Sequence, residues 1–403
     1  MRSKKLLLAA LAILFSTAAC AKEDVVKEEQ KNAYVQHNFV ANNAKYGADA
    51  VEKDFINAWG ISIRPAGSGG HFWVTAKDVS YEYVGDVQAS ADEKLRKLHT
   101  DDVKYVKLPV GGDEAFATGT VFSGSKENFV ITQGKITAPA KFLFASDGGL
   151  ISAWTEHKKE DGTFDRPAEA ITVIDESKNG AAFFGLAINA DYSRLYAADF
   201  GAKPAIKVYD GKFKPANISF DQPFDDNKNG VVDAGEYAPF NIQILGKNVF
   251  VAYAKTQACP AEEVKAGTCK VGEIFAAEED VSKPGQGKVA EFDENGKLIA
   301  VWNDGGKLSA PWGFAIAPND FGKLSNTLLV TNFGDGTIAA YDQKTRNFID
   351  YLRGADGKPI VNEGIWGILF GNGASLGDSN ALYFAAGPDD EKDGVFGSIR
   401  VAK

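Results

Sequence analysis

Apolar residues in this chain fall in short alternating runs, and one such run, built around glycine, returns six times. It reads Asn57-Ala-Trp59-Gly60-Ile-Ser-Ile63, then Thr118-Gly119-Thr-Val-Phe122, Phe184-Gly185-Leu-Ala-Ile188, Pro239-Phe-Asn-Ile-Gln-Ile244, Pro311-Trp312-Gly313-Phe-Ala-Ile316 and Ile365-Trp366-Gly367-Ile-Leu-Phe370. With Asn241 as the fourth marker, successive markers lie 59, 66, 56, 72 and 54 residues apart. Self-similarity at a fixed period marks a repeat array. A second apolar run follows each block, as in Phe72-Trp-Val74, Phe142-Leu-Phe144 and Leu382-Tyr-Phe384. A third often follows, opened by glycine and closed by an aromatic residue, as in Gly149 to Trp154, Gly287 to Phe292 and Gly336 to Tyr341. Short strands between Gly, Asn and Asp turns, about four to a unit, describe a blade. Six units predict an all-β fold, a six-bladed β-propeller of four-stranded blades.

The first residues do not belong to that array. Arg2, Lys4 and Lys5 form a basic head, Leu6 to Phe15 an apolar core, and Ser16-Thr-Ala-Ala19 a small-residue stretch ending at Cys20. This is the pattern of a secretory signal, too short for a spanning helix. Thr17-Ala-Ala-Cys20 resembles the lipobox of bacterial lipoproteins, which implies cleavage before Cys20 and acylation of that residue. Ala21, where an aspartate would signal retention, implies the outer membrane by the sorting rule of enteric lipoproteins. The expected layout is a lipoprotein signal peptide over 1–19, a lipidated N-terminus and tether over 20–33, and a propeller over 34–403. Residues 34 to 40 and 397 to 401 are expected to close the ring by sharing a blade. A body of this length exceeds the usual single core, but radial repetition lifts that ceiling, since each blade packs only on its neighbours. We read one domain and a monomer.

Charge narrows the partners. The formal net charge is −10, and loss of Arg2, Lys4 and Lys5 makes it −13. An acidic surface argues against nucleic acid and against an anionic membrane face, and suits a body held off the membrane by its lipid anchor. Cys259 and Cys269 lie ten residues apart in a polar loop. In an oxidising compartment such as the periplasm they are expected to form a disulfide that clips the loop. No histidine lies in the loop to favour zinc.

One motif carries specific chemistry. Asp225-Asp-Asn227-Lys-Asn229-Gly230-Val231-Val-Asp233-Ala-Gly-Glu236 fits the twelve-residue EF-hand calcium loop. Asp225, Asn227 and Asn229 would offer side-chain oxygens, and Val231 its carbonyl. Asp233 would act through water, and Glu236 with both carboxylate oxygens. Gly230 stands where the loop turns sharply. Pro223 and Pro239 bar regular helices on both flanks, so this EF-hand-like loop is expected to stand alone, as an insertion over about 221–240. We expect a structural calcium site with a dissociation constant of roughly 10⁻⁵ to 10⁻³ M.

Other motifs fail. Gly373-Ala-Ser375-Leu-Gly377 has the spacing of a serine hydrolase elbow but joins two strands of one blade, whereas the chemistry needs a strand-to-helix turn. Six-bladed gluconolactonases set a metal at the channel mouth, on ligands near the start of the innermost strands. Here those positions hold Trp59, Thr118, Phe184, Trp312 and Trp366, poor ligands for a hard cation. The three tryptophans are expected to pack near the axis, or alternatively to offer an aromatic ligand face. Asp147, Asp199, Asn332 and Asp335, where second strands end, read as turn caps.

Ala310-Pro-Trp-Gly-Phe-Ala-Ile-Ala-Pro318, Leu329 to Gly336, Gly364-Ile-Trp-Gly367 and Asp393-Gly-Val-Phe-Gly-Ser398 resemble an uncharacterised family of secreted bacterial propellers. Tyr237 to Gln243 and Phe144 to Trp154 are similar to it too. That family was first defined among proteins with the PEP-CTERM sorting tail and is NHL-like. The resemblance implies the six-bladed fold and brings no activity. The chain departs from it in its lipobox, in lacking the sorting tail, and in its calcium loop. Two functional readings follow. The first is a non-catalytic cell-envelope lipoprotein whose propeller binds a protein or glycan partner; the alternative is a channel-mouth hydrolase or lyase acting on a small or sugar substrate.

Overall fold

The two ends of the chain share a blade. Tyr34–Ala41 runs antiparallel to Val395–Val401, with Tyr34 opposite Val401 and Ala41 opposite Val395. The computed structural model describes residues 31–267, 274–275 and 283–403. Within Asn32–Lys403 six antiparallel sheets ring an axis, forming a six-bladed β-propeller. Blade 1 spans 58–107, blade 2 117–175, blade 3 183–210, blade 4 237–301, blade 5 311–351, and blade 6 365–401 together with the N-terminal strand. Each inner strand meets the inner strand of the next blade, and that of blade 6 meets that of blade 1.

The strand patterns follow from this stacking. Second strands such as Phe72–Ala76, Phe142–Ser146 and Leu382–Ala386 are buried at every position, because neighbouring blades cover both faces. Outer strands such as Phe348–Tyr351 bury alternate residues less completely, since they reach the rim. One apolar cluster fills each interface. Phe72, Tyr83, Tyr383 and Phe396 lie between blades 6 and 1, for example, and Trp73, Phe142, Phe144 and Trp154 between blades 1 and 2.

Four sheets have the expected four strands; two depart from it. Blade 3 has three, and its fourth position is reduced to a bridge between Tyr209 and Pro215 and a bond from Ala216 N to Val208 O at 2.8 Å. Pro215 has no N–H to extend that ladder. Blade 6 has five, because Ala50–Val51 adds a parallel strand outside Val40–Ala41. The closing strand is also latched to blade 1: Arg400 Nη2 and the Tyr383 hydroxyl both donate to Asp86 Oδ2, each at 2.5 Å. Among the described residues no helix is long and apolar enough to cross a membrane.

Candidate functional site

Why the marker is glycine is clear at the axis. A Cβ on Gly60 would lie 2.5 Å from Thr118 O in blade 2, one on Gly313 2.5 Å from Trp366 O in blade 6, and one on Gly367 2.7 Å from Trp59 O in blade 1. Adjacent inner strands therefore approach backbone to backbone. Threonines of second strands stitch them. Thr75 Oγ1 accepts from Gly60 N and donates to Thr118 O, both at 2.7 Å. Thr331 Oγ1 repeats this between Gly313 N and Trp366 O, at 2.7 and 2.8 Å. Blade 4 has Ala252 opposite its marker, and there Asn241 itself donates to Trp312 O at 2.7 Å.

The residues just before the markers close one end of the channel. Trp59 and Trp366 stack with centroids 3.8 Å apart, Trp366 lies over Phe333 at 4.1 Å, and Trp312 meets Trp366 edge-on. Phe184, Phe200 and Phe240 complete the plug. Trp59, Trp312 and Trp366 are 2%, 5% and 1% exposed. Trp366 is stacked on both faces, by Trp59 and Phe333, whereas Trp312 meets it only edge-on and lines the channel cavity, so of the three expected for an aromatic ligand face Trp312 alone borders open space. Asn57 belongs to this site although the sequence reading passed over it as chemistry. It is buried at φ 47°, accepts from Trp366 Nε1 at 2.8 Å, and donates to Glu391 Oε2 at 2.5 Å. Its place in the first repeat, two residues before Trp59, was the available signal. Phe240 was legible in the same way, standing before Asn241 as Trp59 stands before Gly60.

Beyond the plug the channel is a cavity of about 320 Å³ lined by Trp312 and residues 60–63, 119–122, 186–188, 241–244 and 367–369, none of them ionisable. Ser62 and Thr120 share a hydrogen bond at 3.1 Å there, and Gln243 Nε2 donates to Phe314 O at 2.9 Å. The acids and amides at second-strand ends cap turns. Asp147 Oδ1 accepts from Phe116 N at 2.7 Å, Asp199 Oδ1 from Ala182 N and Gly201 N at 2.9 Å, Asn332 Oδ1 from Ser309 N at 3.1 Å, and Asp335 Oδ1 from Thr337 N at 3.1 Å. Burial nevertheless pushes the Asp147 carboxyl up to about 6, outweighing its backbone N–H bonds. Ser375 sits in the hairpin loop of blade 6. Its N–H donates to Asn372 Oδ1 at 3.2 Å and its carbonyl accepts from Gly85 N at 2.9 Å, which docks the loop on blade 1.

The residues of the EF-hand-like loop converge. Asp225 accepts from Asn229 N at 3.1 Å and Gly230 N at 2.8 Å, and Gly230 takes a left-handed φ of 79°. Asn227 and Asn229 both aim their amides at Asp233 Oδ2, each at 2.8 Å. Glu236, 5% exposed, accepts from Asn227 N at 3.2 Å and Asp233 N at 2.9 Å through its two oxygens. Val231 is exposed, while Val232 packs against the axial plug. Neither flank is helical; a strand, Tyr237–Leu245, follows directly. The three carboxylates are thus turned to N–H donors, and no group of three or more His, Cys, Asp or Glu is gathered as a metal centre among the described residues. For the carboxamides to offer oxygens at that point they would have to turn by 180°, which for Asn229 breaks the bond its Oδ1 accepts from Val231 N at 3.0 Å.

Cys20 and Cys269 lie outside the described residues, and Cys259 follows the short strand Gln257–Ala258. No family model matches the chain. It is similar to the uncharacterized protein R648 of Acanthamoeba polyphaga mimivirus, 26% identical over 368 residues, covering 90% of this chain and 79% of that protein. The uncharacterized protein L690 of the same virus is 26% identical over 375 residues, covering 90% and 84%. Among solved structures, the glutaminyl cyclase of Myxococcus xanthus covers 72% of this chain and 92% of its own, at 10% identity and a TM-score of 0.37. These likenesses assign no activity.

Proposed function

We propose that this chain is a non-catalytic propeller lipoprotein of the cell envelope, related to the secreted bacterial propellers it resembles, which presents a binding disc to a protein or glycan partner. The observation that carries this reading is the axial plug. Trp59, Trp312, Trp366, Phe184 and Phe240 fill the end of the channel where the inner strands begin. A channel-mouth hydrolase or lyase needs that space for its substrate and its reacting groups. Three acids at strand and loop ends are engaged: Glu391 with Asn57, and Asp147 and Asp199 with backbone N–H groups. The anchor at Cys20 would hold the disc at the outer membrane. The calcium loop, tied to the plug through Val232, would pin the connection between blades 3 and 4.

The test pairs binding with turnover. Purified protein, with and without calcium, is incubated with lactones, esters and oligosaccharides while product is followed, and the same preparation is screened on a glycan array and against envelope proteins. Binding without product supports the reading. Product formation that disappears in Glu391→Gln would replace it with the enzyme reading.

A further inference from the structure

The fifth strand of blade 6 does more than extend a sheet. Ala50–Val51 stands outside Val40–Ala41, and the chain then crosses to blade 1, so that a groove of about 490 Å³ opens between this wall and the outer half of blade 1. Its floor is aromatic. Tyr81 and Tyr83 are 8% and 5% exposed, and Tyr105, directly across the ladder from Tyr81, is 53% exposed. The rings of Tyr81 and Tyr105 lie 6.2 Å apart. The groove is also lined by three lysines, Lys77, Lys104 and Lys107, and three acids, Glu52, Asp54 and Asp78, whose carboxylates act on the Tyr81 phenol. None of the six forms an ion pair with another described residue, and neither the Tyr81 nor the Tyr83 phenol has a hydrogen-bond partner among them. Burial, and after it the carboxylates of Glu52, Asp54 and Asp78, holds the Tyr81 phenol protonated, so it remains a donor.

We infer that this groove binds an uncharged oligosaccharide, with Tyr105 as the ring on which a sugar stacks. A pyranose has apolar C–H faces and a rim of hydroxyls, each both donor and acceptor. It asks for an aromatic surface flanked by donors and acceptors of both kinds, and the groove supplies that set. The balance of three positive and three negative groups leaves no net charge to select a polyanion or a polycation. An extended peptide is the poorer fit. The free edge of Lys107 is already taken, its N–H donating to Ala168 O at 2.9 Å and its carbonyl accepting from Ala170 N at 2.8 Å. At that position there is no free edge for an added strand. The volume falls within the range of small-ligand pockets, roughly 300–1,000 Å³. This inference rests on the binding-disc reading and specifies its partner as a neutral glycan.

The experiment titrates the full-length chain with hexasaccharides of β-1,4-glucose, β-1,4-xylose, β-1,4-mannose and α-1,4-glucose up to about 10 mM, above millimolar dissociation constants. At least one should bind. Tyr105→Ala should weaken it at least about tenfold, Tyr105→Phe should restore it to within about threefold, and Lys104→Ala should weaken it less. Phe164→Ala, which removes an exposed ring elsewhere, should leave it unchanged. Raising salt from about 0.05 to 0.5 M should change the affinity by less than about twofold. The inference is overturned if none of the four binds, if Tyr105→Ala binds as the wild type does, or if only an acidic polymer binds and salt abolishes it. Full binding in Tyr105→Ala removes the groove and leaves the disc reading standing, whereas hydrolysis of any hexasaccharide removes the disc reading itself.

Discussion

The carboxamide of Asn241 occupies the space a side chain on Gly185 would need: a Cβ there would overlap Asn241 Oδ1 and lie 2.9 Å from Asn241 Cα. The same carboxamide donates to Trp312 O, so one residue fixes blade 4 against blades 3 and 5. Gly185→Ala should therefore destabilise the ring by about 1–3 kcal/mol, the usual cost of overpacking. Asn241→Gly should cost a similar amount by leaving Trp312 O unpaired. The double variant should be less damaged than the two single effects combined, because removing the carboxamide relieves the severest clash for Ala at 185 and leaves only the 2.9 Å approach to the Cα at 241. Urea denaturation of the four proteins measures the coupling, and strict additivity would show that the two residues do not share the space.

Asp147 gives a pH dependence with a defined sign. Its carboxyl is raised to about 6 in the fold by burial, against about 3.9 in an unfolded chain. The folded state therefore holds the proton more tightly, and stability from this group is present below about pH 4 and lost as pH rises through about 6. The loss should be about 1–2 kcal/mol once partial exposure is allowed for. Asn at this position keeps the oxygen that accepts from Phe116 N but has no charge to bury. Asp147→Asn should be more stable than the wild type at about pH 7.5 and indistinguishable near pH 4. Glu82, fully buried and also raised by burial, acts in the same direction in both proteins and cancels from the comparison. Denaturation curves that stay parallel from acid to neutral pH would refute the assignment.

What the sequence made legible, and what it hid, divides by range. The markers Gly60, Gly119, Gly313 and Gly367 are dictated by backbone contact between neighbouring blades, and Gly185 by the Asn241 carboxamide, so that close approach at the axis writes a period into the chain. The closing pair, Tyr34–Ala41 with Val395–Val401, was legible because a ring needs a seam. The three-stranded blade 3 was not. Its fourth strand fails at Pro215 and the chain then leaves for the calcium loop, a local departure with no periodic trace. The tyrosine groove was equally hidden, since it joins residues 50–54 to 77–83 and 100–107 through an extra strand two residues long. The tryptophans were legible as a set, but only their mutual stacking shows that Trp366 spends its faces on Trp59 and Phe333.

The N-terminus and the loop cysteines make a paired prediction about compartment. Intact mass of the mature protein should show a chain beginning at Cys20 and carrying acyl groups, and Cys20→Ser should leave the signal uncleaved by the lipoprotein peptidase. An unmodified start at Cys20 or Ala21 would end the lipoprotein reading. Thiol labelling of denatured, unreduced protein should find neither Cys259 nor Cys269 reactive. Since the bridge would close a short peripheral loop, its reduction should loosen residues near 259 while the ring melts almost unchanged.

The calcium loop is where the sequence commits itself to the most specific chemistry. Asp225, Asp233 and Glu236 would supply three negative charges, and Asn227, Asn229 and the Val231 carbonyl neutral oxygens. That set matches the six-to-eight oxygen shell calcium prefers, at distances near 2.3–2.6 Å. Amide hydrogens now face Asp233 Oδ2, so binding would require both carboxamides to turn, and for Asn229 this gives up the bond its Oδ1 accepts from Val231 N at 3.0 Å. Calcium should raise the thermal stability of chelator-stripped protein, by about 2.7 kcal/mol at a hundred times the dissociation constant. Magnesium should do much less, because its small octahedral shell cannot readily use both oxygens of Glu236. Glu236→Gln should weaken the affinity sharply without unfolding the blades. The stabilisation should appear first in the 225–236 segment and the neighbouring Val232 contact with the plug, which hydrogen exchange can localise. If calorimetry finds no heat and melting no shift with calcium up to about 10 mM, beyond the weakest affinity usual for such loops, residues 225–236 are an ordinary polar turn.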